Sequence, residues 1–134
     1  MIAADTNLIA YLCISGENTI LAEAVFQADP DWVTPPLWRS EFLNVLSKYI
    51  RTGRFNVDEA LECWMLAQSQ VNEMQNPSEK DVLNLVSSSK LSSYDCEFVA
   101  LAQQMSIPLI TFDKKVLAAF PDVAMSAEKF VARN

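Results

Sequence analysis

The chain has 134 residues, 51% of them hydrophobic, with 17 acidic side chains against 10 basic ones and a formal net charge of −7. That length fits one domain with a sizeable core, and the ordinary composition excludes a disordered or repetitive chain. The acid excess opposes a broad basic footprint for nucleic acid, and the absence of histidine with only two glycines removes whole classes of active site.

No apolar run approaches the ~18 residues of a membrane span, and a strand-like run begins at Met1, leaving no room for a signal peptide. A cytoplasmic protein without membrane association is expected. Cys13, Cys63 and Cys96 are odd in number, far apart and without a C-x-x-C pair, so they read as reduced packing residues.

Along the chain, short apolar runs alternate with longer amphipathic ones, the pattern of an α/β sheet with right-handed crossovers. Met1 to Asp5 reads as a central parallel strand, apolar on both sides. Thr6 to Ile14 is a predicted helix stopped by Gly16, followed by a helix from Glu17 to Ala28 that ends before Pro30. Asp31 to Thr34 is a second strand. Pro35 and Pro36 open the next helix and Gly53 closes it, with Leu37, Trp38, Phe42, Val45, Leu46, Tyr49 and Ile50 on one face. Asn56, with Glu59 three residues on, caps a helix whose face is Leu61, Trp64, Met65, Gln68 and Val71 and which ends near Asn76 and Pro77. Ser78 to Lys90 is helical with a break at Ser87-Ser-Ser. Ser92 or Ser93 caps a helix with the stripe Tyr94, Phe98, Val99, Leu101, Ala102 and Met105. Ile107 to Thr111 is a strand, Asp113 to Phe120 a short helix, Val123 to Met125 an edge strand and Ala127 to Val131 a last helix. The three tryptophans, Trp32, Trp38 and Trp64, read by default as core residues.

Four acids stand out against this pattern. Asp5 ends the first strand and Asp113 follows another, while Glu41 and Asp95 fall on apolar helix stripes; Glu97 projects opposite Asp95 and reads as solvated. Taken singly, Asp5 and Asp113 have a simple reading as helix caps, and Asp95 as a first-turn acid complementing the helix dipole. Glu41 resists such a reading, because its i±3 and i±4 positions hold Leu37, Trp38, Asn44 and Val45 and offer no cation. An unpaired buried carboxylate is costly. In open α/β sheets ligands gather beyond the C-terminal strand ends, where Asp5 and Asp113 both fall and onto which the helix start holding Asp95 opens. Four carboxylates there form a donor set for hard cations such as Mg²⁺ or Mn²⁺.

Other chemistries are poorly served. Without histidine there is no Ser-His-Asp or Cys-His catalysis and no usual zinc hydrolase site, and Gly16 and Gly53 are too few for a Walker loop or dinucleotide fingerprint. An aspartyl phosphatase wants a second acid where Asn7 stands.

Met1-Ile-Ala-Ala-Asp5-Thr6-Asn7, the Glu41 helix with Asn44 one turn on, Ser93-Tyr-Asp95-Cys-Glu97-Phe-Val-Ala-Leu-Ala102 and Pro108-Leu-Ile-Thr111-Phe-Asp113 together resemble the PIN domain. In size and layout the stand-alone toxins of VapBC-type toxin-antitoxin modules are the most similar members, and the likeness runs from Met1 to about Val131. It implies a three-layer α/β/α domain with a central parallel sheet of order 3-2-1-4-5 and a Mg²⁺- or Mn²⁺-dependent ribonuclease. Asp5, Glu41, Asp95 and Asp113 map onto the family's acids, and Thr6, Asn7 and Thr111 onto its supporting polar positions, which as turn and cap residues are also ordinary. A third strand falls near Glu73 to Gln75. Where some members carry a further acid, this chain has Val116. The resemblance also implies an RNA substrate, a small DNA-binding antitoxin as partner and, as in many relatives, a homodimer. Arg39, Lys48, Arg51, Arg54, Lys114 and Lys115 are the cations available for phosphates. Two rivals stand beside this reading: a non-catalytic PIN-like binding module, and a phosphoryl-accepting signalling domain, for which the acidic pair and acceptor aspartate are missing.

Overall fold

The sheet is built on β1 (Ile2–Ala4), whose three residues are all buried, as a strand covered by helices on both faces requires. A computed structural model covers residues 1–134. After β1 come α1 (Thr6–Cys13), α2 (Thr19–Ala28), β2 (Trp32–Thr34), α3 (Leu37–Arg51), α4 (Val57–Gln70), β3 (Val71–Glu73), α5 (Glu79–Ser87) and α6 (Ser93–Met105). The chain closes with β4 (Leu109–Ile110), α7 (Lys114–Ala119), β5 (Ala124–Met125) and α8 (Ala127–Arg133). The five strands are all parallel in the order β3-β2-β1-β4-β5, the middle of a three-layer α/β/α arrangement.

Strand order reverses at β1. Ala3 pairs with Val33 of β2 on one side and with Leu109 of β4 on the other, so the connections leaving β1 and β4 diverge and open a crevice at their C-terminal ends. α6 packs on β1 and β4 with α5 alongside, while α1, α3 and α4 pack on one another. Buried Trp32 meets Phe26 edge-on, and buried Trp38 stacks on half-buried Trp64 at 4.9 Å, so the tryptophans fill the core as their stripes predict.

Sequence cues to the helix ends are met by specific bonds. Asn56 and Glu59 form a reciprocal capping box on α4. α3 ends in a Schellman turn: Gly53 has φ +76°, its N–H donates to Ile50 O, and that of Arg54 donates to Tyr49 O. α2 begins two residues later than expected, at Thr19, because the Thr19 hydroxyl holds the preceding loop by accepting from Gly16 N–H and donating to Ile14 O.

The stretch after α4 differs more. The helix stops at Gln70 and the chain enters β3 with no intervening turn residue, so Val71, which continues the helical period, is the first residue of a strand two residues earlier than expected. The face of α4 also differs. Ala60 and Ala67 are buried, while Leu61, Met65 and Leu66 are exposed, because small side chains let α4 approach α1 and α3 closely. On α6, Tyr94 is exposed and Glu97 is half-buried, so Glu97 is not the solvated acid its helical projection implied.

Candidate functional site

Asp5 sits one residue beyond β1, where the extended backbone turns into α1, and it does two jobs. Its Oδ1 accepts from Leu8 N–H at 2.9 Å, capping α1, and its Oδ2 accepts from the Thr111 hydroxyl at 2.5 Å. Thr111 follows β4 in register with Asp5, which makes the bond span 106 residues of sequence. The same hydroxyl accepts from Asp113 N–H at 3.0 Å, and Asp113 Oδ1 then caps α7 through Lys115 N–H at 2.9 Å. One threonine therefore fixes both strand-end aspartates.

Glu41 lies at the half-buried edge of the α3 stripe, and its Oε1 accepts from the buried Thr6 hydroxyl at 2.7 Å. Asp95 is the third residue of α6, where its N–H donates to the Ser92 cap at 3.1 Å and its side chain remains free of the cap bond. All four acids line one cavity of about 220 Å³, together with Thr6, Asn7, Asn44 and Thr111; Val45, Phe98, Leu109 and Val116 complete its wall. The four expected acids and three supporting residues are thus brought together, and Val116 supplies an apolar wall where a further acid would otherwise stand.

The cavity has no cation to neutralise it. The chain's one ion pair joins the Met1 amine to Asp29. Burial raises Asp5 to about 6, opposed by the bonds from Thr111 and Leu8 and reinforced by Glu41 and Asp113. Burial also raises Glu41, against the Thr6 bond and with the help of Asp95 and Glu97. Glu97 is the acid that sequence reasoning missed: it is near enough to act on Glu41, yet it lines a separate cavity with Asn76, Pro77 and Glu79. The stripe projection put it toward solvent, because it did not show that α6 is buried on several sides from Cys96 to Ala102.

As the side chains stand, no three acids converge into a ready cation cage, which accords with mutual repulsion among unneutralised carboxylates. The residues nevertheless fit a divalent ion: every donor is a hard oxygen, the cluster lacks a counter-charge, and it is held open by bonds to hydroxyls and backbone N–H groups. None of the six candidate cations lines the cavity. Lys114 and Lys115 are exposed in the first turn of α7 directly after Asp113, and Lys48 is exposed two turns beyond Glu41. Arg39 lies 6.0 Å from the Trp64 ring, Arg54 lies 4.6 Å from the Tyr49 ring, and Arg51 reaches the Ser47 hydroxyl.

Comparison with known proteins agrees with this layout. Ribonuclease VapC3 of Pyrobaculum aerophilum is 27% identical over 124 residues, which span 90% of this chain and 95% of that one. Among solved structures, PAE2754 of Pyrobaculum aerophilum superposes with a TM-score of 0.79 at 20% identity, covering 98% of this chain and 87% of that one. A toxin-antitoxin complex from Klebsiella pneumoniae superposes with a TM-score of 0.71 at 20% identity over 95% of this chain and 98% of that one. The PIN domain model matches residues 2–124, and with the strand order and the acidic crevice in place, the chain belongs to the PIN domain family.

Proposed function

We propose that the protein is a Mg²⁺- or Mn²⁺-dependent endoribonuclease, hydrolysing phosphodiester bonds as the toxin of a VapBC-type module. The observation that carries this reading is the convergence of Asp5, Glu41, Asp95 and Asp113 on one cavity without a cation among them. The likeness to a ribonuclease adds the substrate class. Asp5 and Asp95 are the principal metal ligands; Asp113 completes the set.

A bound divalent ion would supply Lewis-acid charge against the phosphate and lower the pKa of water. The chain's own residues do the rest. Thr111 and Leu8 N–H hold both Asp5 oxygens, so that carboxylate presents a fixed orientation. Thr6 orients Glu41, whose raised proton affinity suits it to take a proton from the attacking water. Asn7 presents a carboxamide to the same space, and Lys114 and Lys115 offer charge to the flanking phosphate. The apolar wall of Val45, Phe98, Leu109 and Val116 limits water around the reacting groups.

The toxin reading includes a protein partner. The structural likeness to a toxin-antitoxin complex supports an antitoxin as partner, and between α3 and α4 lies a groove lined by Leu43, Leu46, Ile50, Val57 and Leu61, several of them exposed, that offers such a partner an apolar surface. A homodimer is the second use such a face supports. No helix is long and apolar enough to cross a membrane.

The test is cleavage of a labelled, randomised RNA pool in Mn²⁺ by wild type and by Asp5→Asn. Wild-type cleavage that chelation stops and that the variant lacks is expected. Metal-dependent cutting that survives in Asp5→Asn removes the site assignment, and a wild type that cuts no RNA turns the reading toward a non-catalytic binding module.

A further inference from the structure

A second cavity, of about 330 Å³, adjoins the acidic one and shares Asn7 and Val45 with it. It lies between α1, the loop to α2, and α3. On α3, Glu41, Val45 and Tyr49 are four residues apart and form one stripe; on α1, Asn7, Tyr11 and Ile14 form the facing one. The helical rise places Tyr49 about 12 Å along the axis from Glu41, beyond the scissile position but within reach of a neighbouring nucleotide.

The lining is unlike that of the acidic cavity. It offers the phenols of Tyr11 and Tyr49, the carboxamides of Asn7 and Asn18, and one charge, Glu17, with no cation. A phosphate finds no cation there and one carboxylate, whereas the edge of a nucleobase finds both donors and acceptors. Asn18 is placed for this: it stands at the N-cap of α2 but makes no side-chain cap bond, and the Thr19 hydroxyl secures the loop in its place. The aromatic walls are immobilised. Tyr49 stacks on Phe55 at 5.0 Å with Arg54 at 4.6 Å, and Tyr11 meets Phe112 edge-on at 4.8 Å. Rigid aromatic walls with a few uncommitted amides suit an unstacked base, whose pairing edge is exposed only in single-stranded RNA.

We infer that this cavity receives the unpaired base of a nucleotide adjoining the scissile phosphate, with Asn18 contacting its edge, so that the substrate is single-stranded at that position. The inference rests on the nuclease reading. Its test uses the site found in the randomised pool, remade with an abasic nucleotide at each neighbouring position in turn, and compares wild type with Asn18→Ala and Tyr49→Phe after thermal melting has verified their folds. Wild type should lose about tenfold in kcat/KM at one abasic position. Both variants should lose activity on intact RNA and show little further loss on that abasic RNA, since base and side chain act as one contact. Cleavage indifferent to every abasic position, or variant losses equal on intact and abasic RNA, overturns the subsite while leaving the nuclease standing. A wild type that cuts no RNA in the pool overturns the nuclease reading and the subsite with it.

Discussion

Asp5 carries a cost that its role explains. Its pKa stands near 6 in the folded protein against about 3.9 in an unfolded chain, so below pH ~4 it is protonated in both states and costs nothing. As pH rises through 6 the folded state must hold a charge it disfavours, and stability on the order of 2 to 3 kcal/mol is lost. Asp5→Asn should therefore melt higher than wild type near neutral pH, and the gap should close toward pH ~4; equal melting curves at neutral pH would show that the carboxylate is relieved by other means. Millimolar Mn²⁺ should raise the wild-type melting temperature and leave Asp95→Asn nearly unmoved, because binding to the native state alone stabilises it. Thr34 tests the same logic away from the site. Its hydroxyl is buried without a partner, so Thr34→Val should stabilise the protein by about 1 kcal/mol in a denaturant titration. Glu41 and Asp95 were legible because carboxylates on apolar stripes break a pattern, and Asp5 and Asp113 because they follow apolar strands. Glu97 broke none, and its half-burial arises from neighbours that no stripe on its own helix reveals.

At the scale of elements, caps set the position of the chemistry. Asp95 is held where Ser92 starts α6, so Ser92→Ala should cost about 1 kcal/mol by denaturant titration and lower any metal-induced shift in melting temperature as the first turn frays. Several boundaries could be read because capping residues mark them: Asn56 with Glu59, Gly53 and Ser92 each make the bond their position predicts. β3 was expected two residues late because Asn72 and Glu73 are poor strand formers and the strand's character comes from pairing with Trp32, Val33 and Thr34. The face of α4 was misjudged for a related reason. Counting large apolar residues favours Leu61 and Met65, whereas the packed side is set by the alanines that admit neighbouring helices.

For the whole molecule, those exposed α4 side chains become a prediction. Leu61→Glu should weaken capture of the antitoxin by at least about tenfold in a direct binding titration, since it places a charge in the middle of the α3–α4 groove. Unchanged affinity would move the partner to another surface. The sheet order was legible only through family resemblance, since composition and periodicity give strands but not their neighbours. The net charge of −7 argues against a nucleic-acid partner when read as a global quantity. Spatial arrangement changes its meaning, because four of those acids are gathered in one crevice, where a bound cation would offset their charge before a phosphate approached.

The hydroxyl of Thr111 that ties β4 to β1 has a consequence for synthesis. β1, which leads into Asp5, is made well before β4, its partner on one side, which lies more than a hundred residues downstream. A chain interrupted before β4 would hold three of the acids but lack Asp113 and the Thr111 hydroxyl that ties it to Asp5, with one edge of β1 left open. On the nuclease reading, cutting competence would therefore arrive only after β4 is made, and products that stop short of it would be inert.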